Sequence, residues 1–205
     1  MFFILLFITL NINAYCQVNE PEISYSGTGR IITNDGKELL GNLRFSFVSS
    51  RKVFYKLSDG EEQKILVNDL KEFFIDDLHF VKLPSTSLTL VGSDEDIAIV
   101  KIPETFKIKI YKTISQGTVG SGNPATYETI REIVVLFPNA LKPKSITDLS
   151  FMPFNKKVSK IIADCPALSE KIMNKTEGYK LGMISSDQQR LEMFLKVALE
   201  YQDCK

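Results

Sequence analysis

The sequence predicts an α+β fold in which a β-rich region is followed by a helical region. Apolar residues alternate with period two through most of the chain before residue 138, which is typical of half-buried strands. Pro138, Pro143 and Pro153 then interrupt the pattern, and beyond Pro153 the apolar period becomes that of an α-helix. We therefore expect a β-rich domain over residues 17–140, a meander curled into a small barrel or sandwich, with a helical region over 141–205 packed on or beside it.

The N-terminus has the pattern of a cleavable signal peptide. Residues 2–10 form an apolar run that is too short for a bilayer-spanning helix, which needs about 20 residues. Ala14 and Cys16 fit a small-residue cleavage site, so residues 1–16 are expected to be removed. Two alternatives stay open. The run could be a buried element of the mature fold, or Cys16 could carry a lipid anchor, although Tyr15 stands where a lipidation signal needs a small residue.

Charge and hydropathy limit the partners that the chain can have. Lysine and arginine together number 25, as do aspartate and glutamate, so no net field favours nucleic acid or an anionic membrane. No apolar run after residue 16 approaches the length of a bilayer span. We expect an exported chain without a transmembrane span, in the periplasm or at the cell surface or beyond it, that binds no nucleic acid.

The first predicted hairpin turns at Asn34-Asp35-Gly36, because these residue types tolerate the positive φ of a tight turn. Residues 30–33 lead into the turn, and Gly41 interrupts the return strand, as at a β-bulge or a close backbone approach. Period-two alternation on the return strand predicts one shared buried face for Leu43, Phe45 and Phe47.

Strands are predicted to continue to residue 137. Two further hairpins are expected over residues 53–67 and 73–83, the second turning at residues 76–78. Later strands are expected over residues 88–91, 97–102, 106–112 and 127–137, with a loop rich in Gly, Ser, Asn and Pro over residues 117–125.

Three helices are predicted after Pro153. Pro166 can begin the second helix, because proline lacks the N–H that the first helical turn leaves unpaired. Ser185 and Gln188 have the spacing of a capping box for the third helix. The apolar faces are predicted to be Phe154, Val158, Ile161 and Ile162; Ala167, Leu168, Ile172 and Met173; and Leu191, Phe194, Leu195, Ala198 and Tyr201.

Two cysteines remain once residues 1–16 are removed. In an oxidising compartment the pair Cys165 and Cys204 favours a disulfide bond, which the last helix can close by packing back antiparallel on the preceding helices. Their spacing excludes a CxxC redox motif, and two sulfurs with no nearby histidine make a poor zinc site. Two free, buried thiols are the alternative.

His79 is the only histidine, so any catalytic triad would have to use it. Asp77 and His79 share a face of a strand, and either Asp76 or Asp77 could orient the imidazole, as a carboxylate does in a triad. No Gly-x-Ser-x-Gly motif and no second histidine accompanies His79. A hairpin-end histidine without a catalytic role is therefore favoured.

No motif predicts a cofactor or a metal ion. Residues 117–122 are glycine-rich, but they lack the lysine of a phosphate-binding loop and Pro124 follows them, which favours a surface loop. Lys107, Lys109 and Lys112 could contact an anionic glycan or phosphate, although the solvated face of an amphipathic strand is favoured.

Several segments together resemble a family of uncharacterised exported proteins common in the Bacteroidetes group. They are Gly-Arg-Ile-Ile before the Asp-Gly hairpin, residues 106–112, residues 161–168 and residues 200–204, after a signal that ends before Gln17. The resemblance spans most of the mature chain. It implies a β-rich region, a helical tail and a cysteine pair, and it brings no catalytic residues.

These features favour a non-catalytic exported binding or envelope-assembly module whose partner is an unidentified envelope protein or glycan. The alternative is a hydrolase that acts on envelope material and uses His79 with Asp76 or Asp77 as acid and base. The surroundings of His79 distinguish the two functions, because an enzyme needs an open cleft that also holds a nucleophile.

Overall fold

The described part of the chain forms one antiparallel sheet and four helices. The computed structural model describes residues 24–47, 52–57, 60–84, 95–119, 126–150, 153–176, 178–182 and 185–204, so the predicted signal peptide and the predicted strand at 88–91 lie outside it. The strands are β1 (Ser24–Thr33), β2 (Glu38–Ser46), β3 (Lys52–Lys56), β4 (Gln63–Leu66), β5 (Leu70–Ile75), β6 (Leu78–Pro84), β7 (Glu95–Val100), β8 (Lys109–Val119), β9 (Thr126–Leu136) and β10 (Lys144–Ser145). The helices are α1 (Ile146–Ser150), α2 (Phe154–Ile161), α3 (Pro166–Met173) and α4 (Asp187–Tyr201), and Val67–Asp69 form a 3₁₀ turn.

The strands are ordered β10-β9-β8-β7-β6-β5-β1-β2-β3-β4. Strand β1 lies inside the sheet, because it pairs with β2 on one side and with β5 on the other. Strands β4 and β10 end the order and have only four and two residues. The α+β class is confirmed. The sheet is open, however, so the closed barrel is wrong, and its two short terminal strands offer little backbone for closure.

Two glycines lie where neighbouring strands of the sheet approach each other closely. Gly29 of β1 stands opposite Gly41 of β2. A Cβ atom on Gly29 would lie 1.9 Å from the carbonyl oxygen of Phe74, and one on Gly41 would lie 2.3 Å from the carbonyl oxygen of Lys56. Only a residue without a Cβ atom fits such an approach. The close backbone approach predicted at Gly41 is confirmed.

The sheet curls around an apolar core on what we call the inner face. The rings of Phe45 on β2 and Phe80 on β6 lie 5.8 Å apart, although two strands separate β2 from β6. In a flat sheet the two strands would be about 14 Å apart, so the sheet is strongly curled here. The shared buried face predicted for the second strand is confirmed by Leu43 and Phe45, each 2% exposed, and by Phe47, which packs against them.

The helices cover the inner face at the other end of the sheet. Ile110 of β8 and Val135 of β9 are fully buried in one cluster with Val158 of α2, Ile172 of α3 and Phe194 of α4. Helices α2 and α4 therefore bury the faces that their periods predict. In α3 only Leu168 and Ile172 are buried, whereas Ala167 and Met173 of the predicted face are exposed. No described helix has the length and apolarity needed to cross a bilayer.

Several boundaries differ from the predictions. Strand β8 begins at Lys109 instead of residue 106, and its pairing with β9 extends to Val119↔Thr126, so the predicted loop at 117–125 is shorter. Helix α1 and strand β10 already occupy residues 144–150. The capping box of α4 is formed by Ser186 and Gln189, one residue after the predicted pair.

Candidate functional site

His79 lies on the outer face of the sheet, opposite the apolar core, and two neighbours hold its imidazole. Its Nε2 atom is 2.7 Å from the Oε2 atom of Glu72. Its ring lies flat on the ring of Phe74, with the centroids 4.2 Å apart and 10° between the planes. The hairpin register produces both contacts, because His79 stands opposite Phe74 and Glu72 precedes Phe74 by two residues on the same face.

The two aspartates of the β5–β6 turn do not orient His79. In the described residues the hydrogen bond of the His79 side chain goes to Glu72, so the predicted Asp76 or Asp77 partnership differs from the structure. Asp76 adopts a positive φ of 49° at the turn, and its N–H donates to the carbonyl of Thr28 at 2.8 Å. Its carboxylate covers Gly27, where a Cβ atom would lie 2.2 Å from Oδ2. The Asp76 side chain is thus directed toward β1.

The guanidinium group of Arg30 also stacks on the ring of Phe74. The Cζ atom of Arg30 lies 4.2 Å from the centroid of the Phe74 ring. Nη1 of Arg30 is 3.5 Å from Oε1 of Glu38. Phe74 on β5 stands opposite Arg30 on β1 and opposite His79 on β6. A continuous row therefore crosses three strands, and it leaves the Arg30 side chain 46% exposed in a fixed orientation.

A second stack of the same type lies on the outer face of β2 and β3. The Cζ atom of Arg44 is 4.4 Å from the centroid of Phe54, the residue opposite it. Nη2 of Arg44 also contacts both carboxylate oxygens of Glu62, at 3.1 and 3.3 Å. The Arg44 side chain remains 55% exposed. A planar guanidinium held in this way is suited to binding carboxylate or phosphate groups.

Further cations surround this second stack. Lys64 stands opposite Phe54 on β4, and Lys52 stands opposite Leu66, with period two placing Lys52 and Lys56 on the face of Phe54. None of these three lysines forms an ion pair with a described carboxylate. Leu66 is 48% exposed. We call this surface the basic face, and it consists of Arg44, Lys52, Phe54, Lys56, Lys64 and Leu66.

The structure brings Cys165 and Cys204 to disulfide distance. Their sulfur atoms lie at bonding distance and their Cα atoms are 5.5 Å apart. Cys165 is buried at the N-cap of α3, and Cys204 follows the end of α4. The pair borders a cavity of about 420 Å³ that is also lined by Lys171, Glu200 and Asp203.

Two buried tyrosines anchor the last helix beside this cavity. Burial first, and then the hydrogen bond that its hydroxyl donates to Asp164, raise the pKa of Tyr201 to about 12. Burial and the neighbouring carboxylate of Glu200 likewise raise the pKa of Tyr179. Burial alone would raise the pKa of Glu200, but the nearby hydroxyl of Tyr179 and the hydrogen bond from Lys171 outweigh it and lower that pKa. The charged groups of this region are therefore engaged in holding α3 and α4 together.

The basic alternation of residues 107–112 also serves the fold. The N–H of Lys107 donates to Oε1 of Gln202 at 2.6 Å, and its Nζ atom donates to the carbonyls of Gln202 and Cys204. A lysine at this position stabilises the free carbonyls at the end of α4. Lys109 pairs with Glu104 at 3.2 Å. The structure thus places Lys107 and Lys109 in contacts within the chain.

Within the described residues no three His, Cys, Asp or Glu side chains come together as a metal-binding group. The glycine-rich segment is described only up to Val119, the last residue of β8.

No protein-family model, curated protein or solved structure matches the chain. The resemblance to an exported Bacteroidetes family therefore stays a prediction, and the function has to be inferred from the surfaces of the molecule.

Sequence reasoning missed the residues that surround His79 and the two stacked arginines. The signal for Glu72 and Phe74 was present, because period two places them on the face opposite Phe73 and Ile75. No such signal existed for Arg30, because β1 and β5 pair although three strands, β2 to β4, lie between them in the sequence.

Proposed function

We propose that the mature chain is a non-catalytic binding module that works outside the cytoplasm and binds an anionic partner of the cell envelope. The observation that supports this proposal is the pair of arginine–phenylalanine stacks on the outer face. Arg30 on Phe74 and Arg44 on Phe54 are oriented before any partner arrives, so little side-chain entropy is lost when a carboxylate or phosphate binds.

Export is supported by two independent features. The N-terminal apolar run and its small-residue site fit a cleaved signal peptide. Cys165 and Cys204 lie close enough for a disulfide bond, which persists in oxidising compartments. An exported chain meets the proteins and glycans of the envelope, many of which carry carboxylate or phosphate groups.

A hydrolase is the less well supported function. A catalytic histidine needs one ring nitrogen within reach of a nucleophile or of a water molecule in a cleft. Nε2 of His79 is 2.7 Å from Glu72, and the ring face lies on Phe74. One nitrogen of the imidazole and one face of its ring are therefore used in cross-strand contacts on the outer face of the sheet. A matched activity screen of the wild-type chain and His79→Ala on envelope material checks this conclusion.

The binding proposal is tested with the full mature chain and anionic polymers. The chain is immobilised, and binding of polyglutamate and polygalacturonate is compared with that of polylysine and neutral dextran at about 0.05 M and about 0.5 M salt. We expect the anionic polymers to bind and the higher salt to weaken binding, because exposed charges are screened within about 10 Å at moderate ionic strength.

A charge-matched control separates the outer face from total charge. The double variant Arg30→Gln/Arg44→Gln removes two cations from the outer face, whereas Lys156→Gln/Lys160→Gln removes two exposed cations from helix α2. Only the first variant should lose affinity. Equal loss in both variants, or equal binding of polylysine and polyglutamate, contradicts the proposal.

A further inference from the structure

Strand β4 is an open edge of the sheet. It pairs with β3 through four residue pairs, from Lys52↔Leu66 to Tyr55↔Gln63, and it ends the strand order. In the described part of the chain its backbone makes no hydrogen bonds on the opposite side. The other terminal strand, β10, has two residues and runs directly into α1. Strand β4 is therefore the edge that can accept another strand.

The side chains beside this edge determine what can be added to it. Lys64 and Leu66 of β4 lie on the basic face, with Lys52, Phe54 and Arg44 behind them. Lysines on an edge strand prevent the addition of a second copy of the same chain, because like charges would meet. An incoming strand that carries carboxylates is attracted by the same lysines.

The inner face of β4 favours apolar side chains in an added strand. Ile65 stands opposite the fully buried Val53 and packs against the core on the inner face. Side chains of an added strand alternate between the two faces. One set would extend the apolar surface beside Ile65, and the other set would lie beside Lys64.

We propose that strand β4 binds an extended segment of another protein in which acidic and apolar residues alternate. This inference rests on the proposed function and names the partner of the basic face. The four residues of β4 span about 13 Å, so a segment of about four to six residues is sufficient. Backbone hydrogen bonds hold the segment, and the cations select its acidic face.

The test uses a peptide of about six residues in which Glu and Val alternate. The amides of the Glu residues point to one edge of this peptide and those of the Val residues to the other. N-methylation of the set on the edge that faces β4 should weaken binding by about tenfold or more, because two or more backbone hydrogen bonds are lost. N-methylation of the other set should leave binding unchanged. Unchanged binding of both methylated peptides overturns strand addition.

Two further measurements complete the test. Hydrogen exchange should show new protection of the amides at residues 63–66 only with the peptide that binds, and its absence contradicts the inference. Lys52→Glu/Lys64→Glu should reject the Glu–Val peptide and accept a Lys–Val peptide, whereas Lys156→Glu/Lys160→Glu on α2 should do neither. Circular dichroism verifies that each variant is folded.

The outcomes distinguish this inference from the proposed function. If polyglutamate and polygalacturonate bind equally well and residues 63–66 gain no protection, the outer face binds anions but β4 does not accept a strand. If no anionic polymer or peptide binds, both the inference and the proposed function are wrong.

Discussion

Removing the cross-link between Cys165 and Cys204 should lower the free energy of unfolding by up to about 4 kcal/mol. The two cysteines are 39 residues apart in the sequence and their Cα atoms are 5.5 Å apart. A cross-link across a loop of this length reduces the entropy of the unfolded chain by about 13 cal/mol/K, which gives about 4 kcal/mol at 25 °C. A domain stability of about 5–15 kcal/mol makes this a large part of the total.

The native contacts near the cross-link do not replace this effect. Lys107 donates to the carbonyl of Cys204, and the hydroxyl of Tyr201 donates to Asp164, and neither hydrogen bond involves a sulfur atom. Such contacts stabilise the folded state, whereas the cross-link acts mainly by restricting the unfolded chain.

Guanidinium unfolding of the oxidised chain, with and without a thiol reductant, measures the difference. The midpoint should fall on reduction, and Cys165→Ala/Cys204→Ala should give the reduced value in both conditions. Each single substitution should match the double variant if the cross-link, and no other contact of the sulfurs, is responsible. Freely alkylated thiols in the folded oxidised chain, or an unfolding midpoint that does not change on addition of the reductant, would refute the reasoning.

Four further outcomes are expected. Gly29→Ala should destabilise the fold by about 1–3 kcal/mol or prevent folding, because its Cβ atom would overlap a backbone carbonyl, while Gly60→Ala, whose nearest neighbour would be 3.8 Å away, should change stability little in the same denaturant titration. The free energy of unfolding should fall as the pH rises from 10 to about 12, because Tyr201 keeps its proton in the folded state up to about pH 12 and loses it near pH 10 when unfolded; this loss should be smaller in Tyr201→Phe, with the remainder due to other buried tyrosines such as Tyr179, whose pKa is also raised. His79→Ala should cost about 1 kcal/mol and leave ligand binding unchanged, since it removes one side-chain hydrogen bond and one ring contact; loss of binding in the folded variant would contradict this. Intact mass of the chain exported by its own host should begin at Gln17, and a lipid on Cys16 or a retained residue 2–10 would show that the signal was misread.

Local patterns in the sequence were sufficient to predict most of the secondary structure. The alternation at Leu43 and Phe45 requires a strand with one buried face, and the change of period at Pro153 marks the start of α2. The capping box shows the limit of such patterns. Ser185 and Ser186 are followed at the same spacing by Gln188 and Gln189, so both pairs fit the motif, and only the observed start of α4 decides between them.

Long-range pairing could not be predicted in the same way. Whether the sheet closes depends on the lengths of β4 and β10 and on the approach of Gly29 to the carbonyl of Phe74. The spacing of apolar residues along the sequence reveals none of these. The partner of His79 was missed for a related reason. Glu72 reaches His79 because the turn between β5 and β6 contains only two residues, whereas a turn one residue longer would have changed the register.

The inner position of β1 has a consequence for the order in which the sheet can be completed. Strands β2–β4 and strands β5–β10 share no described pairing except through β1. A chain that emerges from a translocation channel N-terminus first delivers β1 before either neighbour, and the second side of β1 stays open until β5 has followed. Pairing across such a sequence distance slows folding and leaves one edge of β1 unpaired during passage. A chain exported in this way would therefore depend on factors that shield the open edge of β1 until β5 arrives.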